Sequence, residues 1–493
     1  MLNIPKGVSY VNLSNEDSLQ KMSDFTEIKK TNHFHCIQNE TDFTKDIRFE
    51  LIQKYFLFHD IADYAKDFGC IVSEAPKAVF MPPTVEVLQQ FLQLAREYQV
   101  PITPRGKGNS AYGQAQVKDG VVIDLKNMEG LLKFDSVDAL SVTSSAFKTW
   151  SEVTEFTKLK NKTIPVTVDN LDLTLSGTLS FAALGGPSYR CGSGADNILS
   201  LDVVTLDGKF QTCSKTENSE LFDAVLCGMG QFGIIINVTI PLVEAKRQAN
   251  VYSISYDNPV EFLKNQKLLY DSKVFDHLKG HVRKNDQKWE YVIDAASYYD
   301  DTEDQRIADT LSTLSISRPE MQTMSYWASI NQVTEFVKLL RDSGKLNAPH
   351  PWYNVLMPEH EIEAHLAKVL NTPHLTGTEP ILVYPMNSDN FQQPLFVKPE
   401  GDTFYLLGVL YNTSFEATED FPYDEVLERN KELYLSAKDV GGCRYPVDAI
   451  SFTPEDWSVH YGKKWEMFCT FKEKFDPTYS LAVGLNIHPQ SKA

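Results

Sequence analysis

Two stretches of the sequence hold residue types from which chemistry can be built. The first is Arg105-Gly106-Lys107-Gly108-Asn109-Ser110, followed at once by Ala111-Tyr112-Gly113-Gln114-Ala115-Gln116. Glycine alternating with polar residues lets backbone N–H groups turn inward around an anion, because glycine reaches the φ > 0 conformations that such a nest requires. The pattern has two readings: a cradle for the pyrophosphate of a dinucleotide, with Lys107 and the Ser110 hydroxyl beside it, or a tight surface turn. The G-x-G-x-x-G spacing of a Rossmann loop is not met. The second stretch runs Val168-Asp169-Asn170-Leu171-Asp172-Leu173-Thr174-Leu175-Ser176-Gly177-Thr178-Leu179-Ser180. Its glycine- and hydroxyl-rich turns let backbone approach a ligand closely, and Asp169 by itself reads as a turn residue that bonds its own backbone.

The elements that must position these stretches follow from periodicity. Ala78 to Thr84 reads as a strand ending at prolines. Thr84 then caps a helix whose apolar residues Val87, Leu88, Phe91, Leu92 and Ala95 recur at helical spacing. Val100 to Pro104 is a second strand, so the glycine run closes a β-α-β unit. Gly120 to Leu125 and Ala139 to Thr143 are further strands, and Trp150 to Phe156 is a helix. Ile198 to Thr212 forms two strands joined at Leu206-Asp207-Gly208-Lys209. Further glycine turns come at Gly185-Gly186 to Gly194 and at Gly228 to Gly233. Glycine turns spread over more than a hundred residues favour one extended ligand, a dinucleotide over a mononucleotide. An amphipathic helix is expected over Ile47–His59, others over Tyr423–Ala437 and Asp456–Phe471, and strands at Ile381–Pro385 and Thr403–Leu410. The boundaries are an N-terminal extension (1–55), a first domain (56–245), a second α+β domain (246–445) and a C-terminal return (446–493).

Composition removes several classes of function. The 493 residues carry a net charge of −19, a field that repels polyanions and excludes nucleic acid as a partner. No apolar run is long enough to cross a bilayer, and Met1 to Gly7 starts no secretory signal, so a cytoplasmic protein without membrane attachment is expected. The seven cysteines lack any C-x-x-C spacing, and His33-Phe34-His35-Cys36 stands in a polar segment. Neither a metal site nor a disulfide framework is expected.

From Ala65 onward the sequence resembles the vanillyl-alcohol-oxidase type of FAD-linked oxidoreductase and, within it, the cytokinin dehydrogenases. The resemblance rests on Ala65-x-Asp67-Phe68-Gly69, Arg105-Gly106-x-Gly108-x-Ser110, Leu173-Thr174-x-x-Gly177-Thr178-Leu179-Ser180, Leu201-Asp202-Val203-Val204-Thr205, Gly230-Gln231-Phe232-Gly233, His350-Pro351-Trp352-x-Asn354 and Ile381-x-Val383-Tyr384-Pro385. It implies an α+β fold: a two-subdomain FAD-binding domain of the PCMH type, and a substrate domain with an antiparallel sheet. It also implies oxidation of N6-isoprenoid adenines at the bond between N6 and its isoprenoid substituent, giving an imine that hydrolyses to adenine and an aldehyde. Asp169 matches the family's aspartate and becomes the general base, with burial expected to raise its pKa. Gly106, Lys107, Gly108, Asn109, Ser110, Gly113, Gln114, Asp169, Thr174, Gly177, Thr178, Ser180, Leu184 and Ile234 match positions that hold FAD. Asp169, Lys279, Trp352 and Phe391 match positions near the substrate.

The departures from the family are as informative. Asn109 stands where the family has a histidine bonded to the flavin, which implies FAD held without a covalent link. Lys279 replaces a glutamate, Phe391 a tryptophan, and Leu485 a glutamine that bonds the flavin. Lys279 and Phe391 leave open a related oxidase of an alcohol, another amine or a carbohydrate. The lost tether and glutamine leave open a flavin-binding protein without turnover, against which Asp169 argues. A quinone-like electron acceptor and a monomeric state complete the expectations.

Overall fold

The computed structural model describes residues 43–285, 288–314, 319–373, 375, 380–411 and 423–488. Most of the N-terminal extension, with its His33 to Cys36 run, lies outside them. In the first sheet, β1 (Phe56–Leu57), β2 (Ala78–Phe80), β3 (Ile102–Arg105) and β4 (Val121–Asp124) lie in the order β1-β2-β4-β3. Both β2 and β3 run parallel to β4, which lies between them. The helix Val85–Glu97 makes the crossover, its first turn capped where the Thr84 hydroxyl accepts from the Val87 N–H. Its apolar face of Leu88, Phe91, Leu92 and Ala95 is fully buried, and Arg105 at the end of β3 leads directly into the glycine run.

The helix expected over Ile47–His59 stops at Ile52 and yields to β1. Tertiary packing decides this: Phe56 pairs with Phe80 across the strands, with ring centroids 4.6 Å apart, and a continued helix would carry that ring away. The helix expected over Asp456–Phe471 is two helices, Pro454–Tyr461 and Trp465–Phe475. They part at Gly462, whose φ of +50° has left the helical region.

The next strands are β5 (Leu132–Phe134), β6 (Ser141–Ser145), β7 (Lys162–Thr163), β8 (Ser200–Val204), β9 (Phe210–Ser214), β10 (Ile234–Pro241) and β11 (Val243–Glu244). Five of them form an antiparallel sheet in the order β5-β6-β10-β8-β9, and β7 pairs with β11. The third sheet is antiparallel and eight-stranded. It comprises β12 (Gln248–Tyr256), β13 (His277–Asn285), β14 (Lys288–Tyr299), β15 (Glu320–Ser325), β16 (Tyr353–Pro358), β17 (Ile381–Asn387), β18 (Thr403–Val409) and β19 (Cys443–Arg444), ordered β15-β12-β14-β13-β17-β18-β16-β19. This is the α+β class with the antiparallel sheet that the resemblance implied. The site strands β13 and β17 are neighbours at its centre.

After β19 the polypeptide turns back to the first sheet, where Leu481 bridges to Ile102 of β3. A buried ion pair fixes the return. Lys472 and Asp476, 1% and 0% exposed, meet at 2.8 Å. Lys472 Nζ also donates to Gln231 Oε1 (2.7 Å) and the Leu481 carbonyl (3.0 Å), while Asp476 accepts from the N–H groups of Ser480 and Leu481. Both charges have hydrogen-bond partners beyond each other, which is the condition under which burying such a pair is tolerable. Replacing Lys472 by Met strands the Asp476 carboxylate, and we expect a loss of about 3–5 kcal/mol in chemical denaturation. A loss below about 1 kcal/mol would deny the pair this role.

Candidate functional site

Asp169 lies on the loop between β7 and the short helix Leu175–Leu179. The loop is pinned from several sides. Val168 and Leu171 are buried around it, Leu171 N–H donates to Thr334 Oγ1 at 2.8 Å, and the Leu171 and Leu173 carbonyls accept from Ser151 and Trp150 N–H. Asp169 itself keeps 22% of its side chain exposed, so its carboxylate is held by a rigid frame yet open on one side.

Three elements far apart in sequence aim groups at that carboxylate. Tyr384 on β17 donates its hydroxyl to Asp169 Oδ2 at 2.7 Å. Lys279 on β13 brings Nζ to 3.6 Å from Oδ1, close enough for charge attraction but beyond hydrogen-bond range. The backbone N–H of Gly186 adds to the field that favours the ionised form. That turn must be glycine, since a Cβ at Gly186 would occupy the space of the His277 ring. His277 shares a face of β13 with Lys279, two residues along.

The sequence-based expectation of a raised pKa for Asp169 is reversed. Burial does push it up, but the Lys279 charge, His277, the Tyr384 hydroxyl and the Gly186 N–H together outweigh burial and hold it below the ordinary carboxylate value. His277, buried and next to the Lys279 charge, falls to about 4 and is neutral at neutral pH. Tyr384 is driven well above its usual range by burial and by the Asp169 charge, so it stays a donor. The result is an ionised acceptor with one open side, bonded by the Tyr384 hydroxyl and faced by the Lys279 ammonium.

The glycine run faces a second feature, a cleft of about 520 Å³ lined by Lys66, Asp67, Phe68, Arg105, Lys107 and Asn109 among others. Gly108 and Gly113 have φ of +68° and +79°. At Gly106 a Cβ would strike the Thr174 hydroxyl, so glycine is what lets this run lie against the Thr174 turn. Asp67, 5% exposed, accepts from Ser110 Oγ at 2.9 Å and from Gly113 N–H at 2.7 Å. Lys107 is ion-paired with Asp172, which also takes Arg341 at 3.0 Å. Cations, left-handed glycines and a cleft of ligand size fit a dinucleotide with a charged pyrophosphate. Arg105, Lys107 and the backbone of 106–110 are the groups that would hold it.

The remaining expected residues divide. Gln114 is 7% exposed and bonds the Asp448 carbonyl at 3.1 Å, tying the run to the C-terminal return. Thr178 Oγ1 accepts from the Trp150 indole at 2.8 Å, and Ser180 Oγ donates to the Ser176 carbonyl at 2.9 Å, so both hydroxyls are engaged within the protein. Thr174 is buried, Gly177 exposed and Leu184 half-buried against the core. Ile234 is a core residue of β10, 3% exposed. Trp352 packs against Phe68, a wall of the cleft, with ring centroids 5.3 Å apart. Phe391, 4% exposed, is enclosed by Phe396 and Phe404. Sequence reasoning gave no role to Tyr384, His277 or Gly186. Tyr384 had two signals, its place in the matched Ile381-x-Val383-Tyr384-Pro385 motif and a polar hydroxyl in the middle of an apolar strand.

Residues 76–214 match the family model described as FAD binding domain, and residues 253–488 match that described as cytokinin dehydrogenase 1, FAD and cytokinin binding. An uncharacterized oxidoreductase of the fasciation locus of Rhodococcoides fascians is 35% identical over 424 residues, covering 85% of this protein and 95% of that one. Cytokinin dehydrogenase 7 of Oryza sativa subsp. japonica is 30% identical, covering 86% of this protein and 89% of its own length. Cytokinin dehydrogenase 3 of Arabidopsis thaliana is also 30% identical, at 86% and 88%. Among solved structures, 6-hydroxy-D-nicotine oxidase of Arthrobacter nicotinovorans superposes with a TM-score of 0.67 at 17% identity, covering 88% of this protein and 97% of that one, a likeness of fold.

The electrostatics of Asp169 can be checked without turnover. Lys279→Gln removes the largest effect that lowers its pKa, so the carboxylate should protonate at higher pH. The acid carbonyl stretch in infrared difference spectra reads this directly. An unmoved titration would mean that Lys279 does not act on Asp169.

Proposed function

The protein belongs to the cytokinin dehydrogenase family of FAD-dependent oxidoreductases, and from that premise we propose that it oxidises N6-isoprenoid adenines at the bond between N6 and the isoprenoid substituent. FAD, held by Arg105, Lys107 and the backbone of 106–110, would supply the hydride acceptor for the carbon attached to N6. Asp169 takes the N6 proton, and the resulting imine reacts with water to give adenine and an aldehyde. The observation that carries this reading is the carboxylate itself: ionised, pinned, open on one side, with Tyr384 fixing Oδ2. A base must reach its proton at hydrogen-bond distance, and a rigid frame satisfies that before pKa is considered.

Asn109 supports a cofactor bound without a covalent link, because an amide nitrogen is not a nucleophile toward the flavin methyl group. Retention then falls to the run 105–110, to Asp67, which shapes it, and to packing. A quinone-like acceptor, a monomeric state and a cytoplasmic setting complete the reading. The last is supported by six cysteines that are free among the described residues. The second reading, an oxidase of an alcohol, another amine or a carbohydrate, is favoured by one observation, the lysine that stands over the base.

Anaerobic addition of isopentenyladenine to the purified yellow protein should bleach the flavin. Bleaching only by a sugar or an alcohol would move the assignment to the second reading. In Asp169→Asn the reduction rate should fall about 10²–10⁴-fold with FAD still bound, and an unchanged rate removes Asp169 as base. Acid precipitation should leave the flavin in the supernatant, and flavin in the pellet would contradict the non-covalent assignment.

A further inference from the structure

Lys279 is unusual in what it lacks. Its side chain is 17% exposed and lies 3.6 Å from Asp169, yet Nζ donates a hydrogen bond to no acceptor among the described residues. Its cross-strand neighbour Asp294 is taken up by His281 Nδ1 at 2.8 Å. Tyr384, the hydroxyl group of the cluster, directs its own hydrogen at Asp169. An ammonium has three N–H donors and no acceptor capacity. With no acceptor bonded to it among the described residues and part of its side chain still exposed, its N–H donors are open to water or to a ligand that enters the site.

Side by side, then, stand an acceptor with an open face, Asp169, and an unused donor, Lys279. The complement of that pair is a ligand edge on which a donor lies next to an acceptor. Adenine has such an edge, with the exocyclic N6–H beside the lone pair of N7. A single N6 substituent leaves one hydrogen on that nitrogen. With the substituent turned toward N1, the hydrogen lies on the N7 side.

We infer that Lys279 is a specificity-determining residue that donates to N7 of the purine while Asp169 accepts from N6–H, so that the pair reads the N6/N7 edge as a unit. This rests on the N6-substituted adenine reading above. A charged donor on N7 draws electron density from the ring and acidifies the N6–H that Asp169 removes, so recognition also assists proton loss. The departure from a carboxylate at this position thus selects a substrate that presents an acceptor to it.

The test is a cycle between protein and ligand, run with the flavin-loaded enzyme at a pH well above the titration of Asp169 so that changes in its ionisation do not contribute. The rate of flavin reduction per substrate concentration is measured for wild type and Lys279→Met with isopentenyladenine and with its 7-deaza and 1-deaza analogues. In wild type the 7-deaza analogue should be about 5- to 150-fold slower, the range for one well-placed base-edge contact, and the 1-deaza analogue close to the parent. In Lys279→Met the parent should already be slow, and 7-deazation should cost little more. If the two losses multiply, or if the 1-deaza analogue shows the coupling instead, the inference is wrong while the function stands. If wild type does not reduce its flavin with isopentenyladenine at all, the function itself falls and the inference with it.

Discussion

A carboxylate ion set in a largely desolvated wall needs compensation, and the compensation for Asp169 comes from three separate places in the sequence. Its hydrogen bond from Tyr384 spans 215 residues. The charge of Lys279 comes from a neighbouring strand, and the N–H of Gly186 from a turn of the first domain. None of these groups is replaceable by water at that depth without cost. The relative placement of the first domain and of strands β13 and β17 is therefore constrained by one ion, and the glycine turn that admits His277 is part of the same constraint.

What could be read from the sequence was local. The Thr84 cap, the apolar face of Val85–Glu97 and the turn at Gly208 depend on neighbours within a few residues, and the structure has them where the pattern put them. Phe56 left its expected helix because its partner, Phe80, was decided by a strand pairing that periodicity does not encode. The direction of the Asp169 shift was missed for the same reason: burial is a property of the segment, but the Lys279 charge and the Tyr384 hydroxyl arrive from another domain. Phe391 was placed near the substrate by position and is enclosed by Phe396 and Phe404, whose packing no spacing reveals.

Asp172 connects the two halves of the site in a different manner. It holds Lys107 of the glycine run and Arg341 of the helix Tyr326–Asp342, all three partly exposed. Thr334 of the same helix accepts from Leu171, two residues beyond Asp169. One helix of the second domain thus braces both the loop that carries Asp169 and the run that faces the cleft. Partly exposed pairs contribute little to stability, so the effect of Asp172 is on orientation.

The return of the polypeptide to β3 has a consequence for how the protein is made. The outer edge of Ile102 pairs across from Leu481, its N–H donating to the Ser480 carbonyl and its carbonyl accepting from Ala482 N–H, and the Gln231 side chain is bonded by Lys472 and Ala482. During synthesis the first domain emerges hundreds of residues ahead of these partners, at about 5–20 residues per second. For that interval the outer edge of β3 is without its pairing segment and the Gln231 side chain without its two partners, a condition that invites association with other polypeptides. Closing contacts of such sequence separation is also slow. The last segment therefore acts as a clasp on vectorial folding, and nascent polypeptides stopped before Leu481 present an open sheet edge that the finished protein conceals.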